Sequence, residues 1–238
     1  MAIPAMDLVV EGGTVLHETG QFVGSIGVRN GKIAALRSIL ASARLTGRRS
    51  LDARGKLVLP GVVDAHVHMA LGAGRTRTAD DFASGSMAGA FGGVTTMIDF
   101  ATQARGESLL DAVKRRRALA EGRSAIDFSL HCAVTDWNQK TRKEMKSVVE
   151  YGIPSFKLFM AYEDRGWMAD DGFLFECLEE AARLNALVGV HAENPRLIAS
   201  FTRRALASGA SVGRGAALHA ASRPNVTESE AVARAAYL

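Results

Sequence analysis

The sequence offers chemistry first at Val58-Leu59-Pro60-Gly61-Val62-Val63-Asp64-Ala65-His66-Val67-His68, an apolar, β-branched run that closes on two histidines. Side chains two residues apart on a strand share a face, so His66 and His68 point the same way. Imidazole is the commonest protein ligand for metals, and the backbone fixes the spacing of such a pair. Two partly buried histidines that bind nothing are the alternative. The position at a strand end, ahead of a loop with Gly72 and Gly74, favours metal binding. A second candidate is Lys157, in Ser155-Phe156-Lys157-Leu158-Phe159-Met160-Ala161-Tyr162. Lysine is rarely buried unless paired or neutralised. It either reaches from a strand edge to water or loses its charge through burial. A neutral amine can add carbon dioxide to form a carbamate, whose two oxygens can bridge two metal ions. The third candidate, His191, ends Leu187-Val188-Gly189-Val190 and precedes Ala192-Glu193-Asn194.

Those four residues need strands to carry them, and from Lys56 onward the pattern alternates strand with helix. Strand runs are Leu57 to Val63, Val94 to Phe100, Ile126 to Val134, Ser155 to Met160 and Leu187 to His191. Helical periodicity fills Glu107 to Glu121, Thr141 to Tyr151 and Gly172 to Asn185. A further helix starts at Asn194-Pro195 and runs to Gly209, with an N-cap residue and proline at N1. Such alternation predicts a parallel sheet with right-handed crossovers, an α/β fold of the TIM (β/α)8-barrel type. His66, His68, Lys157 and His191 then lie at carboxyl ends of strands, the face where such barrels place their sites. A closed barrel needs eight strands, and residues 56–238 suit only about the first five βα units. The sequence therefore reads as the N-terminal part of a longer barrel. Thr227-Glu228-Ser229-Glu230 reads as a capping box, opening a last helix that no Gly, Asn or Pro ends.

Residues 1–55 read differently, as a small β-sandwich portion. Asp7 to Glu11, a Gly12-Gly13 turn and Thr14 to His17 come first. Gln21 to Arg29 and Lys32 to Leu36 follow, joined by Asn30-Gly31, a strong hairpin signal. His17 stands alone and reads as a surface residue.

Composition narrows the function classes. The chain has 238 residues, a net charge of +4 and 47% apolar residues, enough for a substantial core. The basic run Lys114-Arg115-Arg116-Arg117 reads as the solvated face of a helix, and no nucleic-acid motif is evident. Cys132 and Cys177 form no disulfide framework. No signal peptide precedes Asp7, and no apolar run approaches the ~20 residues of a membrane span. A cytoplasmic protein without nucleic-acid or membrane partners is expected.

The motifs together resemble the cyclic amidohydrolases, and most closely the dihydropyrimidinase/D-hydantoinase family. Pro60-Gly61-x-x-Asp64-x-His66-x-His68, Phe156-Lys157-x-Phe159-Met160-Ala161-Tyr162 and Val190-His191-Ala192-Glu193-Asn194 carry the resemblance. Asp80-Asp81-Phe82, Phe91-Gly92-Gly93-x-Thr95-Thr96-x-Ile98-Asp99-Phe100, Ala133-Val134-Thr135-Asp136 and Ser222-Arg223-Pro224 extend it. It implies a metal-dependent hydrolase, a TIM barrel beside a β-sandwich, with two Zn2+ ions. By the match, His66 and His68 hold one ion, His191 the other, and carboxylated Lys157 bridges them. Tyr162 matches the tyrosine that hydrogen-bonds the substrate carbonyl and the developing oxyanion. A hydroxide shared by the metals would open a hydantoin or dihydropyrimidine ring to an N-carbamoyl amino acid. A homotetramer is also implied.

The family pattern continues with a metal-binding histidine and a proton-shuttling aspartate on later strands, and this sequence contains neither. His219 matches a non-ligand position, His131 reads as structural, and Asp99 and Asp136 do not match the catalytic aspartate. The site is therefore expected to be incomplete and the chain alone poorly active. Allantoinase- or dihydroorotase-like hydrolysis is the near alternative. A non-catalytic dihydropyrimidinase-related assembly protein is the distant one, disfavoured by the presence of all four ligand candidates.

Overall fold

The computed structural model describes residues 5–73, 76–208 and 215–238; Gly74 and the helix end at Gly209 lie outside them. The chain forms two compact units, divided between Val62 and Val63.

The first unit is one five-stranded sheet. Strands β1 (Met6–His17), β2 (Gly20–Arg29), β3 (Lys32–Ser38) and β4 (Gly47–Asp52) lie in the order β3-β2-β1-β4, and β5 (Leu57–Val58) pairs with β1. Asn30 (φ 52°) and Gly31 (φ 72°) both take the left-handed conformation that a two-residue hairpin loop requires. Gly12-Gly13 is not a turn. β1 runs through it, with a register shift between Val10 and Gly13. Gly12, at φ 72°, absorbs the extra residue as a bulge, so pairing to β2 survives on both sides. The core here is small, built on Met6, Val9 and Leu45.

The expected single strand Leu57 to Val63 is in fact two. Pro60 has no N–H to give a ladder, and the chain divides there. Leu57–Val58 joins the first sheet, and β6 (Val62–Val67) begins the second.

The second unit alternates strand and helix. After β6 come a short hairpin of β7 (Gly72–Ala73) and β8 (Thr76–Arg77), α1 (Phe82–Phe91), β9 (Val94–Thr102), α2 (Leu109–Ala120) and β10 (Asp127–Ala133). Then follow α3 (Gln139–Glu150), β11 (Ser155–Phe159), α4 (Asp171–Arg183), β12 (Leu187–His191), α5 (Pro195–Ala207), α6 (Gly215–Ala221) and α7 (Val226–Tyr237). The sheet order is β12-β11-β10-β9-β6, and the pairings from β9 to β12 are parallel. These are five successive βα units of a (β/α)8-type barrel. Side-chain caps start the helices where the sequence supplies them. Asp81 caps α1, Ser108 α2, Asn138 α3, Asp170 α4 and Asn194 α5. The core lies between helices and sheet. Val113, Met145, Leu174 and Cys177 pack with Leu130, Phe156 and Leu158, all essentially buried. Because side chains alternate along a strand, Phe156 and Leu158 serve that core, while Lys157 and Phe159 take the opposite face.

Two expectations fail. Thr227 does not cap α7. It lies inside the first turn, and its hydroxyl donates to the Pro224 carbonyl. Glu230 does not close a box either, because its carboxylate accepts from Asn194 Nδ2 at 2.6 Å. The basic run on α2 is not uniformly solvated: Arg116 is buried and ion-paired.

Candidate active site

His66 lies on β6, and His68 follows just beyond it. Their ring centroids are 5.2 Å apart. Both rings rest on Phe100 of β9, at 4.7 and 4.8 Å. Among the described residues neither ring has a hydrogen-bond partner, and both side chains are exposed, so their nitrogens are open to an incoming group. Partial burial, and for His66 the nearby Lys157 charge, hold both imidazoles below the usual histidine range.

Lys157 is 8% exposed. Its Nζ lies 5.8 Å from the centre of the Phe100 ring and 5.7 Å from that of Phe159. Among the described residues no carboxylate pairs with it, and burial pushes its pKa down. The reading of an edge lysine reaching to water is thereby overturned, because β11 is an inner strand flanked by β10 and β12. The amine is instead held on aromatic faces, in surroundings that favour its neutral form.

His191 ends β12, opposite Phe159 in the register. Its Nε2 is bonded to the Glu193 carboxylate at 2.7 Å, which leaves Nδ1 as the ring's other nitrogen. Glu193 in turn receives Arg223 Nε at 3.1 Å. A carboxylate behind a histidine fixes its tautomer and orientation, the arrangement usual behind metal-bound imidazole. Sequence reasoning assigned no role to Glu193 or Arg223. The signal for Glu193 was its spacing of two from His191.

The Tyr162 ring packs against that of His191 at a tilt of 40°, with centroids 4.8 Å apart. Its backbone sits at φ 68°, a conformation costing about 1–3 kcal/mol for a residue other than glycine and concentrated at functional sites. Burial, then the Glu193 charge, pushes the phenol pKa up, so the hydroxyl remains a donor at neutral pH. Arg165 lies over both Tyr162 and Trp167 at 5.2 Å.

Two further groups brace this face. His131 bridges strands, Nδ1 to the Ser155 hydroxyl at 2.7 Å and Nε2 to the Ala65 carbonyl at 3.0 Å. Asp99, wholly buried, forms a bidentate ion pair with Arg116 and accepts the Met69 N–H at 2.8 Å.

The donor set fits a divalent metal through Lys157 rather than through histidines alone. Among the described residues no three His, Cys, Asp or Glu side chains come together as a ligand group. Two histidines with open nitrogens lie on one side, and one oriented histidine on the other. Lys157 is linked to the first pair through Phe100 and to the last through Phe159. A carboxylated amine there would supply the missing oxygen donors. Asp136 is not part of this group; its carboxylate accepts the Gly106 N–H.

Comparison with known proteins shows the family. The profile described as "Amidohydrolase family" matches residues 57–218. D-hydantoinase from Streptomyces coelicolor is 39% identical over 229 residues, covering 95% of this chain and 48% of that protein. Dihydropyrimidinase from Rattus norvegicus is 38% identical over 235 residues, covering 98% and 44%. Among solved structures, dihydropyrimidinase from Brevibacillus agri superposes with a TM-score of 0.87 at 38% identity, covering 97% of this chain and 49% of that one. The chain thus spans about half the length of the curated relatives it matches.

Proposed function

Because the chain belongs to the amidohydrolase family, we propose that it carries part of a metal-dependent site for opening cyclic amides. The substrate class is a hydantoin or dihydropyrimidine ring, and the product an N-carbamoyl amino acid. The observation that carries the reading is Lys157: a buried amine without a carboxylate partner among the described residues, set between the ring wall of His66 and His68 and that of His191. The names of the relatives support the substrate class, and they favour it over allantoinase- or dihydroorotase-like hydrolysis and over a non-catalytic assembly role.

In this reading His66 and His68 would hold one Zn2+, His191 would hold a second, and carboxylated Lys157 would supply oxygen donors to them. Bound metal supplies Lewis acidity and lowers the pKa of water to about 7. The chain's own groups do the rest. Glu193 keeps His191 in one tautomer. Phe100 and Phe159 exclude water from the Lys157 amine, which keeps it neutral enough to react with carbon dioxide. Tyr162, protonated at neutral pH, donates its O–H to the substrate carbonyl and strengthens that bond as the oxygen gains charge. The departing ring nitrogen needs a proton from a general acid. The resemblance assigns that role to an aspartate on a later strand, which this sequence does not contain. A homotetramer in the cytoplasm completes the proposal. For its part, the structure has no helix among the described residues long and apolar enough to cross a membrane.

The test is to join residues 1–238 to the remaining half of the B. agri dihydropyrimidinase. Hydrolysis of dihydrouracil and hydantoin is then measured with zinc and bicarbonate present. Expected are ring opening that a chelator abolishes, loss of it in Lys157→Ala, and a carbamate carbon visible by NMR from labelled bicarbonate only when Lys157 is present. A folded chimera with no carbamate signal and no ring opening sinks the reading.

A further inference from the structure

His66 lies near the end of β6, and His68 lies just past it, where the sheet no longer holds the chain. The strand ends at Val67, His68 and Met69 follow it, and Ala70 turns sharply away at φ 47°. Met69 nevertheless has both backbone polar groups fixed. Its N–H donates to Asp99 Oδ2 at 2.8 Å, and its carbonyl accepts from the Arg116 guanidinium. Arg116 also binds both Asp99 oxygens, at 2.7 and 2.8 Å, and lies 4.8 Å from the centre of the Phe82 ring. The pair is buried, with side chains 9% and 0% exposed. Asp99 is the residue before Phe100 on β9. One strand therefore meets the histidine segment from both faces: Phe100 contacts the rings, and Asp99 holds the backbone beyond them.

A buried ion pair is weak evidence for stability, because desolvation offsets its attraction. What this pair holds is the better clue. A pair needed only to seat α2 on the sheet would have no reason to grip the loop after His68 at two backbone groups.

We infer that Asp99 and Arg116 are positioning residues for His66 and His68, fixing the Met69 backbone so that the two imidazoles are preset to chelate one metal ion. The inference rests on the metal-site reading above. It also accounts for an arginine at this position. The guanidinium fork serves two carboxylate oxygens and a carbonyl at once, whereas an ammonium on a flexible stem cannot hold that geometry.

The test uses the 238-residue chain with Co2+ as probe, followed by its visible absorption, and reads amide exchange at Met69 in the same samples without metal. Arg116→Lys is expected to bind Co2+ at least ~10-fold more weakly, the size usual for losing a group that supports a ligand, and to lose Met69 protection. Glu180→Gln is the control. Glu180, on α4, is a buried carboxylate paired with Arg142 of α3 and Arg183 of α4; its loss should lower stability and leave Co2+ affinity unchanged. If Arg116→Lys does not fold, Asp99→Glu, which keeps the pair but displaces the carboxylate, gives the same readout. Unchanged Co2+ affinity in a folded Arg116→Lys or Asp99→Glu chain overturns this inference alone. A wild-type chain that takes up no Co2+, or takes it up equally after His66→Ala, overturns the metal reading and this inference with it.

Discussion

At the end of β6 an aspartate–arginine pair holds the backbone beyond His68; at the end of β12 a glutamate–arginine pair holds the ring of His191. The first is buried, with Asp99 and Arg116 at 0% and 9% side-chain exposure. The second is half-open, with Glu193 and Arg223 at 15% and 28%. The difference lies in what each pair leaves free. Gripping the backbone leaves both nitrogens of His68 open, so in the proposed site its role would be set by position. Gripping Nε2 of His191 leaves one nitrogen, so its role would be set by tautomer as well. Burial then decides the cost of change. The β6 support is buried in the fold, whereas altering the more exposed β12 support is expected to affect folding less.

That contrast can be broken most severely between the two ends. If the proposed site is right, Lys157→Met should abolish carbamate formation and uncouple the two proposed metal positions. Because the replaced amine is buried without a carboxylate partner among the described residues, the thermal midpoint should rise. A lower midpoint in differential scanning calorimetry would show that the amine has a partner after all. At the β6 end, Asp99→Ala leaves Arg116 charged and buried, so a loss of about 3–5 kcal/mol is expected by urea titration. A loss under 1 kcal/mol would show that the β6 end is no more deeply built than the β12 end.

At the β12 end, Glu193→Gln should weaken metal binding by about 10–100-fold with almost no shift in thermal midpoint. The contrast collapses if this variant unfolds as readily as Asp99→Ala. The smallest effect sharpens the comparison from outside the site. Glu180 has its pKa lowered by its hydrogen bond to Arg183, then by that to Arg142. A carboxylate whose folded pKa is depressed adds stability above its unfolded value. That stability is lost as pH falls through the folded one. The thermal midpoint of the wild type should therefore fall as pH drops below the ordinary Glu value of 4.5, and Glu180→Gln should flatten that limb alone. An unchanged acid limb would assign the drop to other carboxylates.

The fold was largely legible because its signals are local. Asn194-Pro195, Asn30-Gly31 and the apolar stripe of α4 each depend on neighbours within a few residues, and each forms the element expected. Legibility failed where a local signal had a distant competitor. Thr227 and Glu230 have capping-box spacing, but Glu230 is taken by Asn194, 36 residues away. Gly12-Gly13 has turn composition, but pairing with β2 on both sides makes it a bulge.

For the site, the sequence alone determined the His66/His68 pair on one face and the place of His191 at a strand end. Strand periodicity and residue type fix both before any long-range contact forms, whereas Lys157 is enclosed only when Phe100, 57 residues away on β9, folds against it. Only the tertiary structure decided which arginine of the α2 run is buried and which acid it meets. Arg116 finds Asp99 at a separation of 17 residues and the Met69 carbonyl at 47. Likewise Glu193 acquires its meaning only when Arg223 is folded against it. A charged side chain is solvated by default, and only the packed sheet and helices decide which charges lose water and must find each other.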